Sequence, residues 1–179
     1  LAFLPPGAAE VLLRELAAGR IADGALVERA ILARLRQMTE EEFAAYDGGG
    51  EGLYHRVYDA VRRCATVEEL LAAVKTKRYT AARLRRMVLS AWLGLPKAPE
   101  TVPYARVLAA NETGRALLRQ MRKAGAPVLT KAADVAALGS GAEALFRREA
   151  GYTDLYTLAY TDLAQAVPGS DWRLTPMMK

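Results

Sequence analysis

Apolar positions recur at intervals of three and four from the first dozen residues onward, so the chain reads as a succession of amphipathic helices. In PPGAAEVLLRELAAG, Val11, Leu12 and Leu16 share a face, Pro5-Pro6 opens the element and Gly19 closes it. ALVERAILARLRQM repeats the spacing through Leu26, Ala30, Ile31 and Leu35. Thr39 followed by Glu42 has the reciprocal capping pattern that starts a third, short helix. Gly48-Gly49-Gly50 then breaks the chain. In GLYHRVYDAVRRC, Leu53, Val57, Ala60 and Cys64 form one stripe with Tyr54, Tyr58 and Val61 beside it, the signature of a packed helix. Thr66 and Glu69 repeat the capping pattern ahead of VEELLAAV. A longer helix over about 81–93 buries Leu84, Val88, Ala91 and Leu95 and stops at Gly94 and Pro96.

Beyond KAPETVP the pattern changes. YARVLAA is short and partly alternating, NETGRALLRQMRKAG is helical, and PVLT is again strand-like, which predicts a β-α-β unit. Its two strands are expected to run parallel through a right-handed crossover and to need cover from neighbouring helices. AEALFRREAG and TDLYTLAYTDLAQA read as two further helices, and VPGSDWRLTPMMK as a tail lying irregularly over the surface. The expectation is a mainly α (α+β) fold, with a helical domain carrying the basic motif over 1–97. The small two-stranded parallel sheet, C-terminal helices and tail follow over 98–179, the whole packed as one domain.

Composition narrows the class. The 179 residues are 52% apolar, enough for a sizeable core, and the longest apolar runs fall far short of the roughly 18 residues a membrane span needs. No charged-then-apolar leader opens the chain, so neither membrane nor export is expected and the location read here is cytoplasmic. The first residue is Leu1, which suggests a piece of a longer protein. The single cysteine, Cys64, rules out an internal disulfide and a multi-thiolate metal site, and reads as a small core residue. A formal charge of +5 favours polyanionic partners.

The residue types present exclude several chemistries. His55 is the one histidine, which excludes paired zinc ligands and the two-histidine signature of adenylyl-transferring enzymes. There is no phosphate loop, and Gly48-Gly49-Gly50 lacks the lysine that would make it one. Glu40-Glu41-Glu42 and Glu68-Glu69 fall in first turns of helices, where carboxylates suit the helix dipole. No catalytic residue, metal ligand or resident cofactor is therefore assigned.

One stretch resists the bland reading. KTKRYTAARLRR, residues 75–86, places six basic side chains in twelve positions with no carboxylate, yet its second half opens a helix. With Thr80 as cap, Arg83 falls in the first turn behind Lys77 and Arg78, against the dipole. A phosphate would compensate, since free N–H groups, dipole and cations together make an anion site. Arg83 and Arg86 share an outward face, and Tyr79 interleaves, either stacking on a base or bracing the turn. The competing reading is structural, with Arg78 or Arg83 tied to Glu51 in GGGEGL.

Glu51-Gly52-Leu53 followed by Arg56, then KTKRYT with its arginine-rich helix, PYARVLAANETGRALL, PVLTKAAD and TDLYTLAY occur in order over about 28–160. Together these motifs resemble the carboxy-terminal half of the tRNA(Met) cytidine acetate ligase family, also catalogued as nucleotidyltransferases. Asp171 and Pro176 in the tail are compatible with it. Tyr54 and His55 stand where the family commonly has Glu-Asn. The resemblance implies activation of acetate with ATP and Mg as acetyl-adenylate, and acetyl transfer to N4 of the wobble cytidine of elongator tRNA(Met). It places ATP chemistry on an amino-terminal nucleotidyltransferase domain absent from this sequence, and leaves this chain to hold the tRNA without catalysis of its own. Lys75, Lys77, Arg78, Tyr79 and Thr80 match the family's basic motif. With Arg83 and Arg86 they form the expected RNA-binding set, with Glu51 and Arg56 as orienting residues. Five phosphate contacts, from Lys75, Lys77, Arg78, Arg83 and Arg86, would give a log-log salt slope of roughly −3.5 to −4.5. The alternative is a structural or interaction domain whose basic helix docks internally or onto the nucleotidyltransferase domain.

Overall fold

The computed structural model describes residues 7–47, 52–95, 101–173 and 175–178. The chain divides into two compact units, 1–98 with 155–166, and 99–154 with 167–179. No helix among the described residues is long and apolar enough to cross a membrane.

The first unit is all helical. Helices α1 (Ala8–Ala17), α2 (Glu28–Gln37), α3 (Glu40–Ala44), α4 (Leu53–Val61), α5 (Val67–Val74) and α6 (Ala81–Leu93) follow in order. Its core joins Val27, Ile31, Leu35, Met38 and Phe43 to Leu53, Val57 and Val61 of α4, Leu70 and Val74 of α5, and Leu84, Met87, Val88 and Trp92 of α6. Cys64 is buried among them, as a small core residue should be.

Capping residues set the starts. At α3 the full box forms: the Glu42 N–H donates to Thr39 Oγ1 at 3.2 Å and the Thr39 N–H to the Glu42 carboxylate at 2.8 Å. At α5 only one arm is local. The Glu69 N–H donates to Thr66 Oγ1, but the Glu69 carboxylate accepts from Ala65 and that of Glu28 accepts from Val67.

Two apolar stripes sit differently from the sequence expectation. Helix α1 forms where expected, yet none of its residues is buried, and Val11, Leu12, Leu13 and Leu16 are between 41% and 55% exposed. Periodicity identifies an apolar face but not what covers it. Before α2 the chain makes a 3-10 turn, Gly24–Val27, capped by Asp23. Val27, Ile31 and Leu35 recur every four residues and enter the core with Leu32, while Leu26 and Ala30, one residue earlier on the turn, stay outside.

The segment 155–166 closes this unit by pairing with residues 19–23. The Asp23 N–H donates to Ala159 O, Thr161 to Ile21 O and Asp162 to Gly19 O. Gly19 has φ +69°, and a Cβ there would fall 2.3 Å from Asp162 Cβ. Both the helix stop and the close approach require glycine.

In the second unit the expected β-α-β arrangement is present. β1 (Ala105–Arg106) pairs in parallel with β3 (Val128–Leu129), in the register Ala105 to Val128, with α7 (Glu112–Lys123) between them in sequence. Tyr104, Leu129, Val135, Ala142 and Phe146 make its core. The Tyr104 phenol donates to the Glu149 carboxylate at 2.8 Å, and burial together with that bond pushes its pKa well above the usual phenol value.

Two expectations for this region are corrected. The stretches read as separate helices on either side of Gly151 are one helix, α8 (Ser140–Thr157), followed by a short 3-10 turn at Leu163–Gln165. A glycine in a helix costs only about 1 kcal/mol and ends it only when the chain turns left-handed, which Gly151 does not. The tail is also ordered. It contains α9 (Ser170–Arg173) and β4 (Met177–Met178), which adds a second parallel pairing to β2 (Ala109–Ala110). Its anchor is Arg106, whose guanidinium donates to both carboxylate oxygens of Asp171, at 2.7 and 3.1 Å, and to its carbonyl. The same guanidinium lies over the Phe146 ring, which meets Trp172 edge-on.

Candidate nucleic-acid interface

The basic run begins where α5 ends. Lys75 is the C-cap of α5, its N–H donating to Leu71 O. The chain then reverses in a tight turn: the Thr76 N–H donates to Tyr79 O, and the Tyr79 N–H to Thr76 Oγ1 at 3.0 Å. Thr80 follows in extended conformation and caps α6, its hydroxyl accepting from the Arg83 N–H at 3.4 Å. The first turn of α6 holds no acidic residue. Its dipole and its free N–H groups therefore face a cationic neighbourhood.

Two of the interior members of the run face inward. Tyr79 is 6% exposed and packs in the core, with the guanidinium of Arg83 at 5.5 Å and that of Arg56 at 5.9 Å from its ring centroid. Burial suits the bracing role rather than stacking on a base. The Arg83 guanidinium donates to Asp47 O at 3.1 Å and lies 3.5 Å from its Oδ1. Asp47 is almost fully buried, and its Oδ2 has no hydrogen-bond partner. Glu51, the partner expected for this cluster, lies outside the described residues.

The other cations face solvent. Lys75, Lys77, Arg78 and Arg86 are all exposed, as is Arg85 on the flank. Among the described residues Lys75, Lys77 and Arg86 make no ion pair. Arg86 also borders an open recess of about 400 Å³, lined on one side by Tyr46, Asp47 and Leu53 and on the other by Arg83, Met87 and Ser90. Arg56 is exposed on α4 and, among the described residues, reaches the cluster through the Tyr79 ring.

Asp47 was not visible from the sequence. It lies 36 residues from Arg83 in an unremarkable turn, and no spacing rule links the two. His55 is exposed, stacks on Tyr54 and bonds the Glu40 carboxylate. These are contacts of a surface residue. No group of three or more His, Cys, Asp or Glu side chains able to hold a metal ion occurs among the described residues.

These features define a mainly helical α+β protein with an exposed cation cluster around one helix start. The chain belongs to the family described as HIGH Nucleotidyl Transferase, whose model matches residues 1–169. It is 34% identical to the tRNA(Met) cytidine acetate ligase of Thermoanaerobacter sp. (strain X514) over 72% of this chain and 32% of that protein. It is 28% identical to the one from Acetivibrio thermocellus over 94% of this chain and 43% of that protein. The chain thus spans less than half of the length of these curated relatives. The crystal structure of Thermotoga maritima TmcAL superposes with a TM-score of 0.84 at 24% identity, over 98% of this chain and 45% of the other, and so shares the fold. A second form of that protein was solved bound with alpha-thio ATP.

Proposed function

We propose that this chain is the tRNA-binding, carboxy-terminal portion of an ATP-dependent acetate ligase that acetylates N4 of the wobble cytidine of elongator tRNA(Met). On this reading it does no catalysis alone, and ATP, Mg and acetate are handled by an amino-terminal nucleotidyltransferase domain in the cytoplasm. The observation that carries the proposal is that Lys75, Lys77 and Arg86 are exposed and make no ion pair among the described residues, around the start of a helix whose first turn holds no acidic residue. Lys75, Lys77, Arg78 and Arg86 contact phosphates, Thr80 caps the helix, Tyr79 braces the turn, and Arg83 fixes the turn through Asp47. The names of the relatives, all tRNA(Met) cytidine acetate ligases, supply the RNA.

The test is binding of an elongator tRNA(Met) transcript by fluorescence anisotropy across a potassium chloride series. Replacing Lys75, Lys77 and Arg86 together with alanine is expected to make the log-log salt slope shallower by roughly 2.1 to 2.7, at unchanged melting temperature. Unchanged slope and affinity would sink the reading.

The Arg83–Asp47 pair favours a second reading, in which the motif is a structural clamp and the domain serves mainly to dock on the nucleotidyltransferase domain. The uncovered apolar face of α1 suits such docking. A fall in melting temperature with no loss of RNA affinity in the alanine variants would support it.

A further inference from the structure

Helix α7 carries a second concentration of cations that the proposal above does not use. Arg115, Arg119 and Arg122 are spaced by four and three residues and share one face of the helix. With Leu118 and Thr130 they line one open recess of about 170 Å³. All three are exposed, and Lys123 follows them. Among the described residues none of these four makes an ion pair.

The rest of this unit shows that such isolation is not general. Arg147 pairs with Glu143 at 2.6 Å, Arg106 with Asp171 at 2.7 Å, and Lys131 with Asp134 at 3.8 Å. The helix dipole accounts for Arg122 and Lys123, which lie in the last turn. It does not account for Arg115, whose N–H donates to the cap residue Asn111, so that its cation stands near the positive end of the helix, where Glu112 is the acidic residue of the same turn and makes no ion pair with it. Arg122 is further held by donating to Thr130 Oγ1, whose hydroxyl in turn faces Asp134 at 3.4 Å.

We propose that this face of α7 is a second phosphate-binding surface and that its occupant is the backbone of the same RNA, an inference that rests on the tRNA-binding reading above. The three guanidinium groups are strung along about 10 Å of helix axis at 1.5 Å per residue. A line of planar, permanently charged forks suits a strand that carries one anionic oxygen pair per nucleotide. Asp134, Glu143 and Asp171 of the same unit are paired with other cations, Glu149 and Asp154 accept from Tyr104 and the Gly169 N–H, and Glu112 makes no ion pair with this face, so the face keeps its charge for an outside anion.

The test uses the whole chain and the same tRNA transcript over a salt series. Arg115→Gln with Arg119→Gln is expected to make the salt slope shallower by about 1.4 to 1.8, and to weaken binding more than tenfold near 0.1 M salt. The corresponding Lys pair should keep the wild-type slope. Arg147→Gln, which removes one charge from a paired site, should change the slope by less than half a unit. Each single Gln variant should lose about 0.7 to 0.9 of slope, which provides the readout if the double variant does not fold. Wild-type RNA binding with Arg115 and Arg119 variants indistinguishable from the Arg147 control would overturn this surface and leave the α6 reading standing. No RNA binding by the wild-type chain at low salt would overturn both.

Discussion

Arg83 and Asp47 divide the basic run into a part that holds the fold and a part that faces solvent. Asp47 is almost fully buried, and the Arg83 side chain keeps 28% of its surface exposed. Removing the cation leaves a carboxylate stranded in the core, which is the costly way to break a buried pair. Arg83→Ala is therefore expected to cost about 2–4 kcal/mol, lowering the melting temperature by roughly 5–15 °C in a chain of this size. Asp47→Asn, which removes the stranded charge but keeps the shape, should cost less. Lys77→Ala, at an exposed position, should stay within about 0.5 kcal/mol of wild type. Thermal melts of the three variants rank them, and a Lys77→Ala loss as large as that of Arg83→Ala would contradict the division. The exceptional character of this arginine was legible in the sequence, because a cation in a first turn calls for a counter-charge. Its partner was not legible, because residues 36 apart meet only through the packing of α3, α4 and α6.

At the scale of elements, sequence reading succeeded where the signal was local and faltered where it depended on a distant partner. The capping box at Thr39, the stops at Gly19 and Gly94 and the β-α-β alternation are each written within a few neighbouring residues. The course of the tail is not. Its four-residue helix and two-residue strand carry too little pattern to be seen, and what orders them is Arg106, 65 residues upstream of Asp171. Asp171 accepts three hydrogen bonds from this one guanidinium and the pair is mostly shielded from water, so it should dominate the placement of 170–178. Arg106→Ala is expected to release that segment, with trypsin then cutting after Arg173 at least tenfold faster while the helices of 8–93 keep their circular dichroism signal. If Arg173 is cleaved no faster in the variant than in wild type, the tail is held by the β2–β4 pairing and the Trp172 packing instead.

For the molecule as a whole, charge and missing chemistry have to be weighed together. A net charge of +5 is unevenly used: some arginines close carbonyls within the fold, as Arg36 does at Val61 and Cys64 and Arg62 at Tyr58 and Met38, while Lys75, Lys77 and Arg86 around α6 and Arg115, Arg119 and Arg122 on α7 make no ion pair among the described residues. Adenylation of a carboxylate requires a site that binds a nucleoside triphosphate, neutralises the charge developing on the transferring phosphoryl group and protects the mixed anhydride from water. A chain with one histidine, itself exposed and bonded to Glu40, cannot assemble a two-histidine phosphate site from its own residues. On the proposed division of labour, this chain alone, given ATP, magnesium, labelled acetate and tRNA(Met), should release no pyrophosphate and leave no label in RNA, while still shifting the tRNA in a binding assay at low salt. Label recovered as N4-acetylcytidine with the chain alone would place the adenylating chemistry within these 179 residues and require a catalytic centre built without the histidine pair.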